Sequence, residues 1–248
     1  MALPADLVRA LAAVAATPRL LVASDFDGTL APLVDRPSDA RPLPQAAEAL
    51  IAIADLPSTE VALVSGRALA VLREYSGMPS SVHLVGSHGA EFETGFALEI
   101  NDTLLATITD ELNSIAAGRP GVTVELKPAS VALHVRNASA ADGEAALAAA
   151  RSVGEASGAE ITAGKNVLEF AVISTDKGEA VDVFRRRSDA TAAVFFGDDV
   201  TDEKAFRRMV GSDVGVKVGP GETLAAYRVE SPEDVAEALS HLLERRRG

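Results

Sequence analysis

The chain reads as an α/β protein: a core built on a parallel sheet, interrupted by a small inserted α+β cap domain. Three observations predict this. Short apolar runs alternate with helical patterns in the first and last thirds, as a parallel sheet with helices on both faces requires. The middle third instead repeats helix, strand, strand, the pattern of a small antiparallel sheet backed by two helices. Acidic and glycine-bearing motifs stand just beyond the apolar runs, where an open parallel sheet forms its ligand crevice. A Rossmann-like core is therefore assigned to residues 1–102 and 174–248, and the cap to residues 103–173.

The elements follow in order. Leu20–Ser24 is a short apolar strand, followed by a proline-interrupted loop and a helical period over residues 45–56. Residues 61–64 form a second strand, with a helix after Gly66, and residues 82–85 a third. Two further strands, residues 193–196 and 214–218, flank a helical stretch around residues 201–210. In the cap, helices are expected over residues 103–117 and 141–157. Cap strands are expected over residues 122–127, 131–136, 160–162 and 167–172, with turns at Pro128-Ala129 and Ala163-Gly164.

Composition removes several function classes. With 248 residues, 48% of them hydrophobic, the chain has ample core material, so disorder is excluded. It has no cysteine, which removes thiolate chemistry, cysteine zinc sites and a disulfide scaffold. The apolar segment 11–16 is too short for a secretory leader and follows Asp6 and Arg9, and no stretch approaches a membrane span. A cytoplasmic location is expected, and the sequons at Asn101 and Asn137 are read as accidental. A formal charge of −13 argues against nucleic acid or an anionic membrane as partner. The basic run 245–247 is expected to be a solvated chain end. A phosphorylated ligand would be repelled by that net field, so any phosphate site must be locally cationic or metal-loaded.

The strongest motif is Asp25-Phe26-Asp27-Gly28-Thr29, directly after the first strand. Alternation puts Asp25 and Asp27 on one side and Phe26 in the core. Two acids at the end of an apolar strand are costly without a cation between them. Asp25 fits a nucleophile attacking phosphorus, and Asp27 the acid that protonates the leaving oxygen and later activates water. A second acidic cluster, Gly197-Asp198-Asp199-Val200-Thr201-Asp202, follows another strand. Carboxylates are the hard oxygen ligands Mg²⁺ prefers. Asp198 is assigned as a direct ligand, with Asp199 and Asp202 either binding the ion or supporting it. Helix-start acids would explain Asp202 equally well.

Ser65-Gly66-Arg67 also follows a strand; its hydroxyl and the N–H groups of the next helix start suit a phosphoryl oxygen, or form an ordinary helix cap. Thr175 or Asp176 caps a helix, placing Lys177 in a first turn where the dipole disfavours a cation. A phosphate and carboxylates nearby reverse that preference; the alternative is a surface lysine.

Asp25 to Thr29, Ser65, Lys177 and Gly197-Asp198-Asp199 resemble, in order, the four motifs of the haloacid dehalogenase superfamily of phosphotransferases. The resemblance implies that Asp25 becomes phosphorylated, that Asp27 is the acid/base, and that Mg²⁺ is held from both motif ends. Its ligands would then include Asp25 and the main-chain carbonyl of Asp27.

In the cap, Val131, Leu133 and Val135 face one side of their strand while Ala132, His134 and Arg136 face the other. Lys127 falls on the polar face with Thr123 and Glu125, and Lys165 and Glu169 lie opposite Leu168, Phe170 and Val172. Lys127, His134, Arg136 and Lys165 thus gather cations in an acidic protein, a group that solvation alone would also allow. Closing over the crevice, this face would grip the substrate's non-reacting part and exclude water.

With Gly86-Ser87-His88-Gly89-Ala90-Glu91, these residues resemble the trehalose-phosphate phosphatase family, which shows Ser-Gly-Arg, Gly-x-His-Gly-x-Glu, a lysine leading to His-x-Arg, and Gly-Lys-x-x-x-Glu. That resemblance implies trehalose 6-phosphate as substrate. It implies binding of sugar and phosphate by Thr29, Gly66, Arg67, His88, Glu91, Lys127, His134, Arg136, Lys165 and Glu169. His88 could equally be structural. The chain is expected to act as a monomer, with association with a trehalose-phosphate synthase left open. Alternatives kept beside this reading are a phosphatase or phosphomutase for another sugar phosphate, such as sucrose phosphate or mannosyl-phosphoglycerate, and a silent sugar-phosphate-binding domain.

Overall fold

The computed structural model describes residues 3–173 and 175–248; residues 1, 2 and 174, assigned above to the core, lie outside them. The chain divides into two compact units, Met1–Gly95 with Asp176–Gly248, and Phe96–Thr175.

The first unit begins with helix α1 (Ala5–Ala15), strand β1 (Leu20–Ser24), α2 (Pro44–Ala54), β2 (Thr59–Val64), α3 (Leu69–Ser76) and β3 (His83–Val85). A short ribbon, β4 (Glu91–Phe92) and β5 (Gly95–Phe96), ends this segment. The second unit runs α4 (Asp102–Ala116), β6 (Thr123–Leu126), β7 (Ser130–His134), α5 (Ala140–Ser157), β8 (Glu160–Gly164) and β9 (Val167–Ala171). The chain then returns as α6 (Lys177–Ser188), β10 (Ala192–Gly197), α7 (Glu203–Phe206), β11 (Val214–Val218), β12 (Tyr227–Val229) and α8 (Pro232–Arg247).

The core sheet is parallel, in the order β12-β11-β10-β1-β2-β3. From β1 the chain builds outward to β2 and β3, and on its return builds the other way from β10. The boundary between β1 and β10 is therefore the topological switch point, where an open α/β sheet leaves a crevice at its strand ends. All five residues of β1 are buried, as expected of a strand covered on both faces. Leu20 and Val22 join Leu7, Leu11, Leu50, Ile53, Leu239 and Leu242 on one face. Leu21 and Ala23 join Ala180, Val181, Phe184 and Phe206 on the other.

The second sheet is antiparallel, in the order β6-β7-β9-β8. Its apolar face, Val131, Leu133, Leu168 and Phe170, packs on Leu105, Ile108 and Leu112 of α4 and Ala146 and Ala150 of α5. At Gly154 a β-carbon would stand 2.6 Å from both Ile161 Cδ1 and Phe170 Cε1, so the absence of a side chain lets α5 lie close to the sheet.

Several expectations need correction. Residues 201–210 form only a single 3₁₀ turn and the short α7, because Asp202 turns inward to accept main-chain bonds. The C-terminal basic run belongs to α8, and Arg246 is not a solvated end. Its guanidinium donates to Ala15 O at 2.8 Å, Ser58 O at 2.9 Å and Thr59 Oγ1 at 3.1 Å, and also to Thr17 O. Carbonyls at the end of α1 and the start of β2 outcompete water for it. Among the described residues no helix is long and apolar enough to cross a membrane.

Candidate active site

The expected convergence starts from the backbone. Asp25 N–H donates to Phe196 O at 2.9 Å, which ties the end of β1 to the end of β10, the strand that leads into Asp198. Gly28 has φ +77°, and a β-carbon there would fall 2.1 Å from a carboxylate oxygen of Asp198. Only glycine allows the turn after β1 to approach that acid so closely.

Asp25, Asp198 and Asp202 each bring a carboxylate oxygen within 4.8 Å of the others. Lys177, 2% exposed, lies among them, with Nζ 2.8 Å from Asp25 Oδ1 and 2.7 Å from Asp202 Oδ1. Its position follows from local sequence: Asp176 accepts from Glu179 N–H at 2.8 Å and starts α6 one residue before it. Burial works to lower the Lys177 ammonium, but the Asp202 and Asp25 carboxylates outweigh it and hold the group above its ordinary value. Burial, with Asp202 and Asp198 adding, drives Asp25 well above the carboxylate range despite Lys177. Burial and then Asp202 push Asp198 up to about 6.

Three carboxylates against one ammonium leave two surplus negative charges if all are ionised, an imbalance that adds to burial in raising the acids. A divalent cation with oxygen preference fits this donor set. Within it the acids are not equivalent. Asp202 Oδ1 receives Lys177, and Oδ2 accepts from Asp198 N–H and Asp199 N–H, each at 2.9 Å. Both its oxygens are engaged, so Asp202 braces the loop and leaves Asp25 and Asp198 as the acids that could hold an ion. Asp199 stands outside the cluster and accepts from Val200 N–H at 2.7 Å, where it starts the 3₁₀ turn. Thr29 Oγ1 reaches Asp198 Oδ1 only at 3.5 Å.

Asp27 departs from the side-by-side arrangement expected. The acids acting on Asp25 are Asp202 and Asp198. Asp27 instead receives Arg67 through two bonds of 2.6 Å, Nε to Oδ2 and Nη2 to Oδ1. The Arg67 guanidinium also lies over Phe26 and Tyr75, 5.6 and 5.1 Å from the ring centroids. The cation required beside this acid is thus supplied by the chain itself.

The helix start after Ser65 is also corrected. α3 begins at Leu69, and its N–H is taken by Glu91 Oε2 at 2.7 Å, so it is not offered to a phosphoryl oxygen. Ser65 is 1% exposed, and its hydroxyl accepts from Arg67 N–H at 3.2 Å. The loop from Gly86 to Glu91 is laced to this segment: His88 N–H donates to Ser65 O at 2.9 Å and Ser87 N–H to Arg67 O at 2.7 Å. Gly66 leaves room for the His88 ring, whose Cε1 would lie 2.4 Å from a β-carbon there. His88 itself has φ +58°, a strained choice for a non-glycine residue.

In the second unit, Glu169 accepts from Lys127 Nζ at 2.8 Å and Ser130 Oγ at 2.6 Å. His134 Nε2 lies 2.9 Å from Glu125 Oε2. The strand register puts Glu169 beside Ala132 and Thr162 on the polar face. Arg136 and Lys165 are exposed.

Sequence reasoning missed Lys217, 4% exposed on β11, which donates to Asp198 O and, at 2.7 Å, to Val218 O. A single charge in the otherwise apolar run Val214–Val218 was the available signal.

The core has the fold of the haloacid dehalogenase-like hydrolases. One from Bacteroides thetaiotaomicron matches with a TM-score of 0.69 at 14% identity, over 90% of this chain and 99% of the other. The C-terminal domain of Candida albicans trehalose-6-phosphate phosphatase matches with a TM-score of 0.79 at 22% identity, over 98% of each chain. The model of the trehalose-phosphatase family matches residues 23–233, and the chain belongs to that family. The trehalose-phosphate phosphatase of Mycobacterium marinum is 35% identical over 247 residues, 91% of this chain and 62% of its own length. A Mycobacterium tuberculosis protein named as an uncharacterized glycosyl hydrolase is 36% identical over 242 residues, 88% of this chain and 18% of the relative. The chain therefore spans less than two thirds of these curated relatives.

Proposed function

We propose that the chain hydrolyses trehalose 6-phosphate to trehalose and phosphate, through a phosphorylated Asp25 and with Mg²⁺ as cofactor. The observation that carries this reading is the Asp25–Lys177–Asp202 chain of ion pairs at the switch point, with Asp198 alongside, in a member of the trehalose-phosphatase family.

Asp25, Asp198 and the main-chain carbonyl of Asp27 would hold the ion, which when bound would neutralise charge on the phosphoryl group. Lys177 fixes Asp25 Oδ1, which leaves the second oxygen to attack phosphorus. As that O–P bond forms, the bond to the sugar oxygen breaks and Asp27, with one of its two Arg67 bonds opened so that this oxygen carries a proton, protonates the leaving oxygen to a hydroxyl. Water then attacks the same phosphorus, its proton passes to Asp27, and the bond to Asp25 breaks. Ser65 and the turn after β1 face the transferring oxygens, and Arg67 orients Asp27 and competes for incoming negative charge. The polar sheet of the second unit, with Lys127, His134, Arg136, Lys165 and Glu169, is read as the sugar-gripping surface. A cytoplasmic, monomeric enzyme fits this reading.

A phosphate-release panel over trehalose 6-phosphate, sucrose phosphate, mannosyl-phosphoglycerate and glucose 6-phosphate tests it, with Asp25→Asn as the control. Release should be fastest from trehalose 6-phosphate and lost in the variant. Trehalose 6-phosphate turned over no faster than the others would remove the substrate assignment, and activity retained by Asp25→Asn would remove the mechanism.

A further inference from the structure

We infer that Lys217 is a positioning residue for the metal-binding carboxylate of Asp198: it locks the main chain on which that carboxylate is carried.

The argument begins with cost. An ammonium buried in a strand is expensive unless its donors are satisfied. Lys217 is 4% exposed, and every residue of β11 is buried. Among the described residues no carboxylate pairs with it; its partners are two carbonyls, Asp198 O and Val218 O. A methionine would fill such a position without the desolvation cost, so charge here demands a return other than packing.

The return lies in what the bonds hold. β10 ends at Gly197, directly opposite Lys217 in the parallel register. Asp198 is therefore the first residue beyond the ladder, and strand pairing no longer fixes its peptide. Two buried ionic groups take over. Asp202 Oδ2 accepts the N–H on one side of the Asp198 α-carbon, and Lys217 Nζ binds the carbonyl on the other. With both flanking peptides pinned, the direction in which the Asp198 side chain leaves the backbone is set. A cleft of about 420 Å³ is lined by Gly28, Asp198, Lys217 and Val218 together, which puts the lysine at the side of Asp198 that faces the turn after β1.

The inference rests on the divalent-metal reading, and outer groups that orient a metal ligand typically contribute tenfold to a hundredfold in affinity. Mn²⁺ binding to the isolated protein, followed by electron paramagnetic resonance with Mg²⁺ competition, is measured for the wild type, Lys217→Met and Lys217→Gln. Circular dichroism reports folding of each. Lys217→Met should weaken Mn²⁺ by about tenfold or more, and Lys217→Gln, which keeps a donor without the charge, by at least about threefold. KM for the sugar phosphate at saturating metal should stay within about twofold, since the substrate's own contacts are untouched. If Lys217→Met does not fold, Lys217→Gln decides alone. Folded variants that bind Mn²⁺ within about twofold of wild type would overturn the positioning role and leave the metal reading intact. A wild-type protein that binds no Mn²⁺ would overturn both.

Discussion

Replacing Lys177 by methionine removes the one ammonium that touches both Asp25 and Asp202 and leaves the volume nearly unchanged. Lys177 is 2% exposed and makes ion pairs of 2.8 and 2.7 Å, so little solvent can replace it. Deleting one partner of a buried ion pair costs about 3–5 kcal/mol, because the remaining charge is stranded. For a chain of this size that lowers the melting temperature on the order of 10 °C. The loss must depend on pH, with a sign set by the acids. Asp25 and Asp198 already lie above their unfolded value of 3.8, Asp198 at about 6, and losing the lysine raises Asp25 further. A raised acid destabilises the fold by an amount that grows as pH rises from the unfolded value of 3.8 to the folded pKa, and the penalty is absent only below 3.8. The deficit should therefore be larger at pH 8 than at pH 5. Thermal unfolding by circular dichroism in EDTA, for both proteins at both pH values, measures it. A deficit that is equal at pH 5 and pH 8, or under about 1 kcal/mol at pH 8, would refute the stranded-charge argument.

The same raised acids make the ion compete with protons, so the rise in melting temperature caused by Mg²⁺ should be larger at pH 8 than at pH 5; scanning fluorimetry with the reverse order would count against the site. Arg246→Met should cost about 1–2 kcal/mol, discounted because the side chain is partly wet, with little dependence on salt since its partners are carbonyls and a hydroxyl. Urea unfolding in low and high salt checks both parts, and a loss that vanishes in high salt would be wrong for carbonyl partners. Glu169→Gln should reduce kcat/KM for trehalose 6-phosphate by about tenfold or more and for an aryl phosphate by less than about twofold, because only the sugar requires that carboxylate. Equal losses would mean that the second unit does not read the sugar.

Legibility in the sequence followed where local chemistry decides. Leu20–Ser24 announces a buried strand by its unbroken apolar run, and acids at its end mark the crevice without any knowledge of partners. In the second unit the strands alternate faces and α4 and α5 carry apolar periods, although the turn expected at Ala163-Gly164 lies inside β8. α1 and α8 were not identified, although Leu7, Leu11 and Val14 keep helical spacing and Ser231 to Asp234 form a capping box before α8. Both lie near the chain ends, where the surrounding alternation of strand and helix gives no support. β12 has three residues and one neighbour, too little pattern to separate from a loop. Side-chain partnerships were the least visible. That Arg67 would hold Asp27, or that Glu91 would take the start of α3, depends on loops meeting across the sheet. No spacing encodes such a meeting.

The order of strands has a consequence for how the molecule is made. β1 leads directly into the nucleophile candidate, yet one of its two neighbours, β10, is not synthesised until long afterwards; Arg19 N–H and its partner Thr191 Oγ1 are separated by 172 residues. Until then the strand has an open edge, and a whole second unit, built of contacts local to itself, emerges in the interval. Pairing at such separation is slow, and waiting apolar edges invite association between nascent chains. The core of the fold is thus completed only after the second unit has been made.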